Sequence, residues 1–268
     1  MKEQLQKDFD NTIKNLSLSQ KDIEIKKFYL DSFVNRGFPN RKEEDWKFSD
    51  LSQIIKKNIG ELSFYTDYTS TNKIDTSVYV DGLEHNKIVF INGRIEKIDF
   101  DYEKKNQIEI IDQSETIDQF NNNNSLSDLN NAFTNKSFKV LIKKGYQLKK
   151  PLIIYHTTNS NIWSKNINLR LNFELDNDSS LRLIDLFKDT SEKNFLNIFY
   201  NFDLKENAIL KNYKIDRFES KNIKYSYNNI EQAKNSNSET FILSSGSNFF
   251  KNEINTNLKG KYSSAFVN

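Results

Sequence analysis

The sequence predicts a mainly β protein: a parallel β-helix (solenoid) preceded by an N-terminal α-helical region. Three observations carry that reading. Amphipathic helical periodicity opens the chain, short β-rich runs dominate beyond Ser137, and a six-residue strand–turn pattern returns there at near-constant intervals. The copies are "IKKGYQL" at 142–148, "LDNDSSL" at 175–181 and "LKENAIL" at 204–210, with looser ones from Ile230 ("IEQAKNS") and Leu258 ("LKGKYSS"). Each holds an aliphatic residue, a polar turn and, in the first three, another aliphatic residue six positions on. The anchors step by 33, 29, 26 and 28 residues, the signature of stacked coils. An antiparallel β-sandwich with recurring strand–turn units is the competing architecture at this point.

The elements follow in order. Leu5, Phe9, Ile13 and Leu16 are spaced by four, four and three, as on one face of a helix. Ile23, Leu30, Phe33 and Val34 mark a second helix that ends at Arg36-Gly37, with glycine in its usual place. Pro39 fixes its own φ and pushes Phe38 out of the α region, so a new helix is expected after Asn40. Glu43 and Lys47 would pair on it at i,i+4, and Arg41 would reach Glu44 or Asp45. "KIVFINGRIEKI" at Lys87–Ile98 is a hairpin around an Asn-Gly turn. Ser114–Phe133 reads as polar loop and short helix, with the asparagines at 121–124 as loop. The predicted organisation is a helical region over 1–60, a connecting region with the hairpin over 61–136, and the β-helix over 137–268.

Composition narrows the function. The 268 residues carry 39 basic and 37 acidic side chains, a net charge of +2, which argues against a dedicated nucleic-acid binder. No run approaches the eighteen apolar residues of a membrane span, and "MKEQLQKDFDN" has acids where a secretory signal would be apolar, so a cytoplasmic protein is expected. There is no cysteine, which excludes disulfides and thiolate ligation, and two histidines, His85 and His156, leave little for a zinc site.

Residues that could carry chemistry mostly read as structural. Gly260, Lys261 and Ser263 lack the upstream glycine of a phosphate-binding loop, and Lys261 is assigned to a solvated turn. His156 at the end of "LIIYH" and His85 in "DGLEHN" are assigned to hydrogen-bonded structural positions. Asp176, Asp178 and Asp185 invite comparison with the carboxylates of β-helical polysaccharide enzymes, but the first two fall inside the repeat's turn, where aspartate is favoured for backbone reasons. Trp46 is assigned as an aromatic anchor of the helical block, with Arg41 stacking on it or on Phe48.

With these residues in place, the segment "GFPNRKEEDWKFSDL" resembles the N-terminal signature of the SufB/SufD family of iron–sulfur cluster assembly proteins, and most closely its SufD branch. The matching positions are Gly37, Pro39, Arg41, Lys42, Glu43, Glu44, Trp46, Lys47, Phe48 and Ser49. "VFINGRI", "LNNAFTNKSFKVLIKKGYQLKKPLIIYH" and "GSNFFKNEINTNLKGKYSSAFVN" continue the similarity in order. The resemblance implies a non-catalytic scaffold subunit with a right-handed parallel β-helix between helical regions. It further implies pairing with a SufB-like subunit, docking of a SufC-like ATPase through C-terminal helices, and an iron–sulfur cluster held by the complex and not by this chain alone. The lack of cysteine suits SufD, since SufB-like chains are expected to supply thiolates. No catalytic, cofactor-binding or metal-binding residue is assigned. Lys251 stands where the family usually has arginine, a loss of a planar fork of donors. The sequence stops at Asn268 inside the expected β-helix, so the remaining coils and the ATPase-docking helices are expected to be missing and the last coil, around Ala265, Phe266 and Val267, to be open. The rivals are a β-helical polysaccharide-processing enzyme and a structural β-solenoid protein.

Overall fold

The fold was read from a computed structural model, which describes residues 2–16, 18–66, 74–113, 124–135, 137–158, 162–188, 193–216 and 220–268. Helix α1 (Lys2–Asn15) buries Leu5 and Phe9 as its spacing predicts. Helix α2 (Gln20–Arg36) starts in a capping box: the Ser19 hydroxyl accepts from the Asp22 N–H, and the Asp22 carboxylate accepts from the Ser19 N–H. It stops at Gly37, whose φ of 74° only glycine takes cheaply and whose N–H donates to Phe33 O at 2.6 Å. Besides Leu30 and Phe33, α2 buries Lys26.

The helix expected after Asn40 does not form. Glu44–Trp46 is one 3-10 turn, and α3 (Leu51–Asn58) begins only where the Asp50 side chain caps the Gln53 N–H. The Leu51 N–H donates back to Pro39 O, so residues 40–50 form a loop closed on itself. The predicted Glu43–Lys47 pair is replaced by Glu44–Lys47 at 2.9 Å, because the tight turn brings i+3 and not i+4 alongside. Glu43 accepts from the Asn40 N–H instead.

Strand β1 (Ser63–Phe64) leads to the expected hairpin, β2 (Asn86–Ile91) and β3 (Arg94–Asp99), turned by Asn92 and Gly93 with φ of 53° and 79°. A Cβ on Gly93 would lie 2.7 Å from an Ile167 methyl, so the turn tip needs glycine twice over. Strand β4 (Ile108–Asp112) follows; of the loop expected before the next helix, residues 114–123 lie outside the described residues. Helix α4 (Ser125–Phe133) is capped by Asn124 and buried along its whole length.

The remainder is a parallel solenoid. Strands β5 (Phe138–Ile142) and β6 (Leu152–Thr157) precede four coils, each a strand on one sheet and a strand on the other: β7 (Lys165–Leu175) with β8 (Ser180–Lys188), β9 (Phe195–Leu204) with β10 (Ile209–Asp216), β11 (Ser220–Gln232) with β12 (Asn237–Ser244), and β13 (Ser247–Leu258) with β14 (Ser264–Val267). One sheet runs β13-β11-β9-β7-β5-β4 with β1 beside β7, and the other β14-β12-β10-β8-β6-β2-β3. Successive coils pair in parallel and in register, which excludes the sandwich. The polar turns of the repeat stack as well. Gly145, Asp178, Asn207, Asn235 and Tyr262 all take φ between 58° and 72°, and the Asn235 amide donates to Asn207, whose own amide donates to Asp178.

The register corrects one anchor of the repeat. Leu204 pairs with Gln232, not Ile230, and Gln232 pairs with Leu258, so the last two steps are 28 and 26 residues. A glutamine in an aliphatic column hides the repeat from a reading by hydrophobicity. It is 1 % exposed and is satisfied by Ser236 O, Ser264 O and the Ser238 hydroxyl.

Three apolar clusters result. One fills the lumen with Leu152, Ile154, Leu171, Phe173, Leu183, Phe202 and Leu210 among others. The second lies between the four helices and the outer face of the first sheet, through Phe195, Phe199, Ile223 and Tyr225. The third covers Ile153, Tyr155 and Leu186 on the outer face of the second sheet with Ile74, Val78 and Tyr79.

Candidate functional site

The N-terminal signature and the late solenoid meet in space. Trp46, only 4 % exposed, stacks on Phe249 at 6.4 Å between ring centres and lies 5.9 Å from Tyr225. The cation over it is Lys251, 4.9 Å from the ring, and not Arg41, which is exposed; Phe48 receives Lys47 at 5.3 Å. Lys251 also donates to Asp45 O and pairs with Glu253, whose carboxylate accepts the Tyr225 hydroxyl at 2.6 Å. Burial and then the Glu253 charge push the Tyr225 phenol well above its ordinary pKa, which keeps it a donor. Beside this junction lies a groove of about 380 Å³ lined by Trp46, Phe48, Phe249, Phe250 and Lys251.

Of the signature, Gly37 and Pro39 shape the loop, Glu44 and Lys47 pair on its surface, and Arg41, Lys42 and Phe48 face solvent, Phe48 to 86 %. Only Trp46 is an anchor. Tyr225 and Phe249, the rings it packs on, carry no local signal, since what selects them is a contact between distant segments.

Helix α4 is fixed to the first sheet by amides. The Asn130 amide donates to Leu169 O and Asn197 O of adjacent strands, the Asn197 amide returns a bond to Leu126 O, and Arg170 donates to Asn130 and Ser127. At its C-terminal end, Lys26 donates to Asn131 O, Ala132 O and Thr134 O, where the helix dipole favours a cation. Burial, with repulsion from Arg170, still lowers this ammonium to about 8 against a weaker opposing pull from Asp22.

The second concentration of polar groups is inside the solenoid. His156 is stacked between Phe90 and Phe187, ring centres 5.5 and 4.5 Å away, on one rung of three paired strands. Its Nε2 lies 2.6 Å from Asp185 Oδ1 and 2.7 Å from the Tyr200 hydroxyl, which itself donates to Asp185 at 3.0 Å. Lys214 Nζ completes the cluster at 2.7 Å from Asp185 Oδ2 and 4.7 Å from the Tyr200 ring. One coil on, Lys224 pairs with Asp216 at 2.8 Å and sits over Phe187. Burial alone would raise the Asp185 carboxyl, but the Lys214 charge and the bonds from His156 and Lys214 hold it well below the usual carboxylate range. Burial and the Asp185 charge push the Tyr200 phenol far up. The cluster is a charge-balanced core network with a cavity of about 20 Å³ beside His156, room for about one water.

The structure separates the three aspartates that suggested polysaccharide chemistry. Asp176 and Asp178 occupy the stacked turns, while Asp185 points into the lumen. Both histidines are hydrogen-bonded core residues as expected: His85 accepts from the Tyr155 hydroxyl and donates to Leu83 O. Lys261 is an exposed turn residue. Among the described residues, no three His, Cys, Asp or Glu side chains gather as a metal would require, and no helix is long and apolar enough to cross a membrane.

Residues 155–268, the four coils and the end of the strand before them, match the family model of the SUF system FeS cluster assembly SufBD core domain. No curated protein matches the chain.

Proposed function

We propose that the chain is a SufD-like member of the SufB/SufD family, a non-catalytic scaffold of cytoplasmic iron–sulfur cluster assembly that acts with a SufB-like subunit and a SufC-like ATPase. The observation that carries this reading is the SufBD core match over the solenoid. The N-terminal signature supports it, since its tryptophan packs on a late coil of the same solenoid. The absence of cysteine supports the SufD assignment over SufB: iron–sulfur clusters are held by thiolates, so a cluster assembled here takes its ligands chiefly from a partner. The ionisable groups of the lumen are spent on one another, and that suits a rigid scaffold better than a reaction centre.

The test is co-expression with a SufB-like protein and a SufC-like ATPase, followed by affinity capture and anaerobic reconstitution. The expected result is a stable complex with the SufB-like subunit that acquires a cluster, and no stoichiometric cluster on the isolated chain. A protein-bound cluster on the chain alone, by absorbance and iron analysis, would overturn the reading.

A further inference from the structure

The lumen-facing side chains of β10 and β11 oppose one another in a fixed order. Lys224 reaches Asp216 at 2.8 Å, and Lys214 reaches the Ser226 hydroxyl at 3.3 Å. Side chains alternate along each strand, and β11 returns antiparallel to β10 across the lumen, so stepping two residues from these contacts opposes Asn212 to Asn228. The next step opposes Leu210 to Ile230 and closes the polar stretch with an apolar rung.

Asn212 and Asn228 are 1 % and 0 % exposed. Neither amide atom of Asn212 has a protein partner, and the Asn228 carbonyl has none. The Asn228 NH2 group is directed instead to Asn252 Oδ1 at 3.0 Å, Glu253 O at 3.3 Å and the Ser226 hydroxyl at 3.5 Å, and the Asn252 NH2 group is itself unpartnered. Two facing amides could bond each other directly, yet these do not. A buried amide left without a partner is costly enough that native interiors rarely keep one.

The free valences identify the ligand by chemistry. Asn212 offers one donor group and one acceptor, Asn228 an acceptor and Asn252 a donor. A cation would use the acceptors and strand the NH2 groups; an anion would do the reverse. The neighbouring charges are matched, Lys214 with Asp185 and Lys224 with Asp216, so an ion would bring charge with nothing to balance it. Water donates and accepts at once and satisfies both kinds. We propose that the lumen between Asn212 and Asn228 is a built site for ordered water. It continues the polar file that starts at His156 and runs through Asp185, Lys214, Ser226 and Asn228 to Asn252.

The test compares the wild-type chain with Asn212→Leu and Asn212→Thr by oxygen-17 relaxation dispersion of water, which counts internal molecules of long residence. The expected result is the loss of at least one such water in Asn212→Leu and its retention in Asn212→Thr, whose hydroxyl both donates and accepts. Equal amplitude in the wild type and Asn212→Leu would overturn the proposal. If the leucine variant fails to fold, a high-resolution crystal structure of the wild type decides: density bridging Asn212 and Asn228 supports the site, whereas a direct amide–amide bond or an ion there overturns it.

Discussion

Lys251 holds its ammonium 4.9 Å over the Trp46 ring and donates to the carbonyl of Asp45, a hydrogen bond that spans 206 residues of chain. One side chain of the fourth coil thus fastens the loop that carries the N-terminal signature. Lys251→Met should lower stability by about 1–2 kcal/mol, the range of a partly desolvated cation–π contact, while Lys251→Arg should keep most of it. Trp46→Ala should cost about 3 kcal/mol or more, because it empties a packed aromatic site. Urea unfolding followed by Trp46 fluorescence measures both lysine variants once Trp163, 66 % exposed, is replaced by phenylalanine; circular dichroism serves for Trp46→Ala.

The Asp185–Lys214 pair predicts an acid sensitivity with a definite sign. The folded carboxyl lies below its unfolded value of about 4, so its contribution is complete above that pH and declines as pH falls toward the folded value. Asp185→Asn should lose it at every pH, at about 3–5 kcal/mol near neutrality, because Lys214 is left buried and unpaired. The Asp185→Leu/Lys214→Met double variant should recover much of that loss. A double variant no more stable than Asp185→Asn would show that the pair is not the source.

His85 gives a second pH dependence, milder and nearer neutrality. Its ring donates to Leu83 O and accepts from Tyr155, whose hydroxyl oxygen accepts the Val80 N–H, a chain complete only for the neutral imidazole. Burial lowers its pKa below 6.5, although the Leu83 carbonyl pulls the other way; Lys87 and Asp99 nearby act in opposite senses. A base with a depressed folded pKa stabilises fully above its unfolded value, and the contribution fades as pH falls through the folded one. Hydrogen exchange at the Val80 amide, corrected for intrinsic rates, should therefore accelerate as pH falls below about 6.5. Tyr155→Phe should show fast exchange on both sides of that pH.

Gln232 yields a prediction opposite to repeat logic. Its register partners are Leu204 and Leu258, so a consensus substitution would be Gln232→Leu. That change should destabilise by about 1–3 kcal/mol, since it strands the Ser238 hydroxyl and two carbonyls inside the wall. A rise in the urea midpoint would show that these bonds contribute less than a packed leucine.

The parts of the fold legible in the sequence are those built from local chemistry. The Asn-Gly hairpin, the Gly37 stop and the polar turns of the coils follow from which residues accept positive φ, and those positions hold. The helix after Asn40 failed because local charge spacing cannot register that Trp46 must turn inward onto Tyr225 and Phe249. The assignment of Arg41 as the stacking cation failed for the same reason. The lumen network was illegible for a different one: Asp185, Tyr200, Lys214 and Lys224 look like ordinary members of alternating strands until the register shows which face is interior.

The lumen also changes character along its axis. The first coil lines the channel with Leu169, Leu171, Phe173, Leu181, Leu183 and Phe187 around Asp185, whereas the third coil lines it with Lys224, Ser226, Asn228, Ser238 and Thr240. In a solenoid each coil is held by its own interior and its two neighbours, so cohesion is a local property. Apolar burial at about 25 cal/mol per Å² acts whatever the exact geometry, while polar contacts keep their value only in one arrangement. The molecule is thus a spring of unequal stiffness. Where polar contacts line the interior, from Asp185 of the first coil to Asn228 of the third, a coil holds tightly or lets go, so thermal opening of that stretch should come as a discrete event and not as gradual loosening.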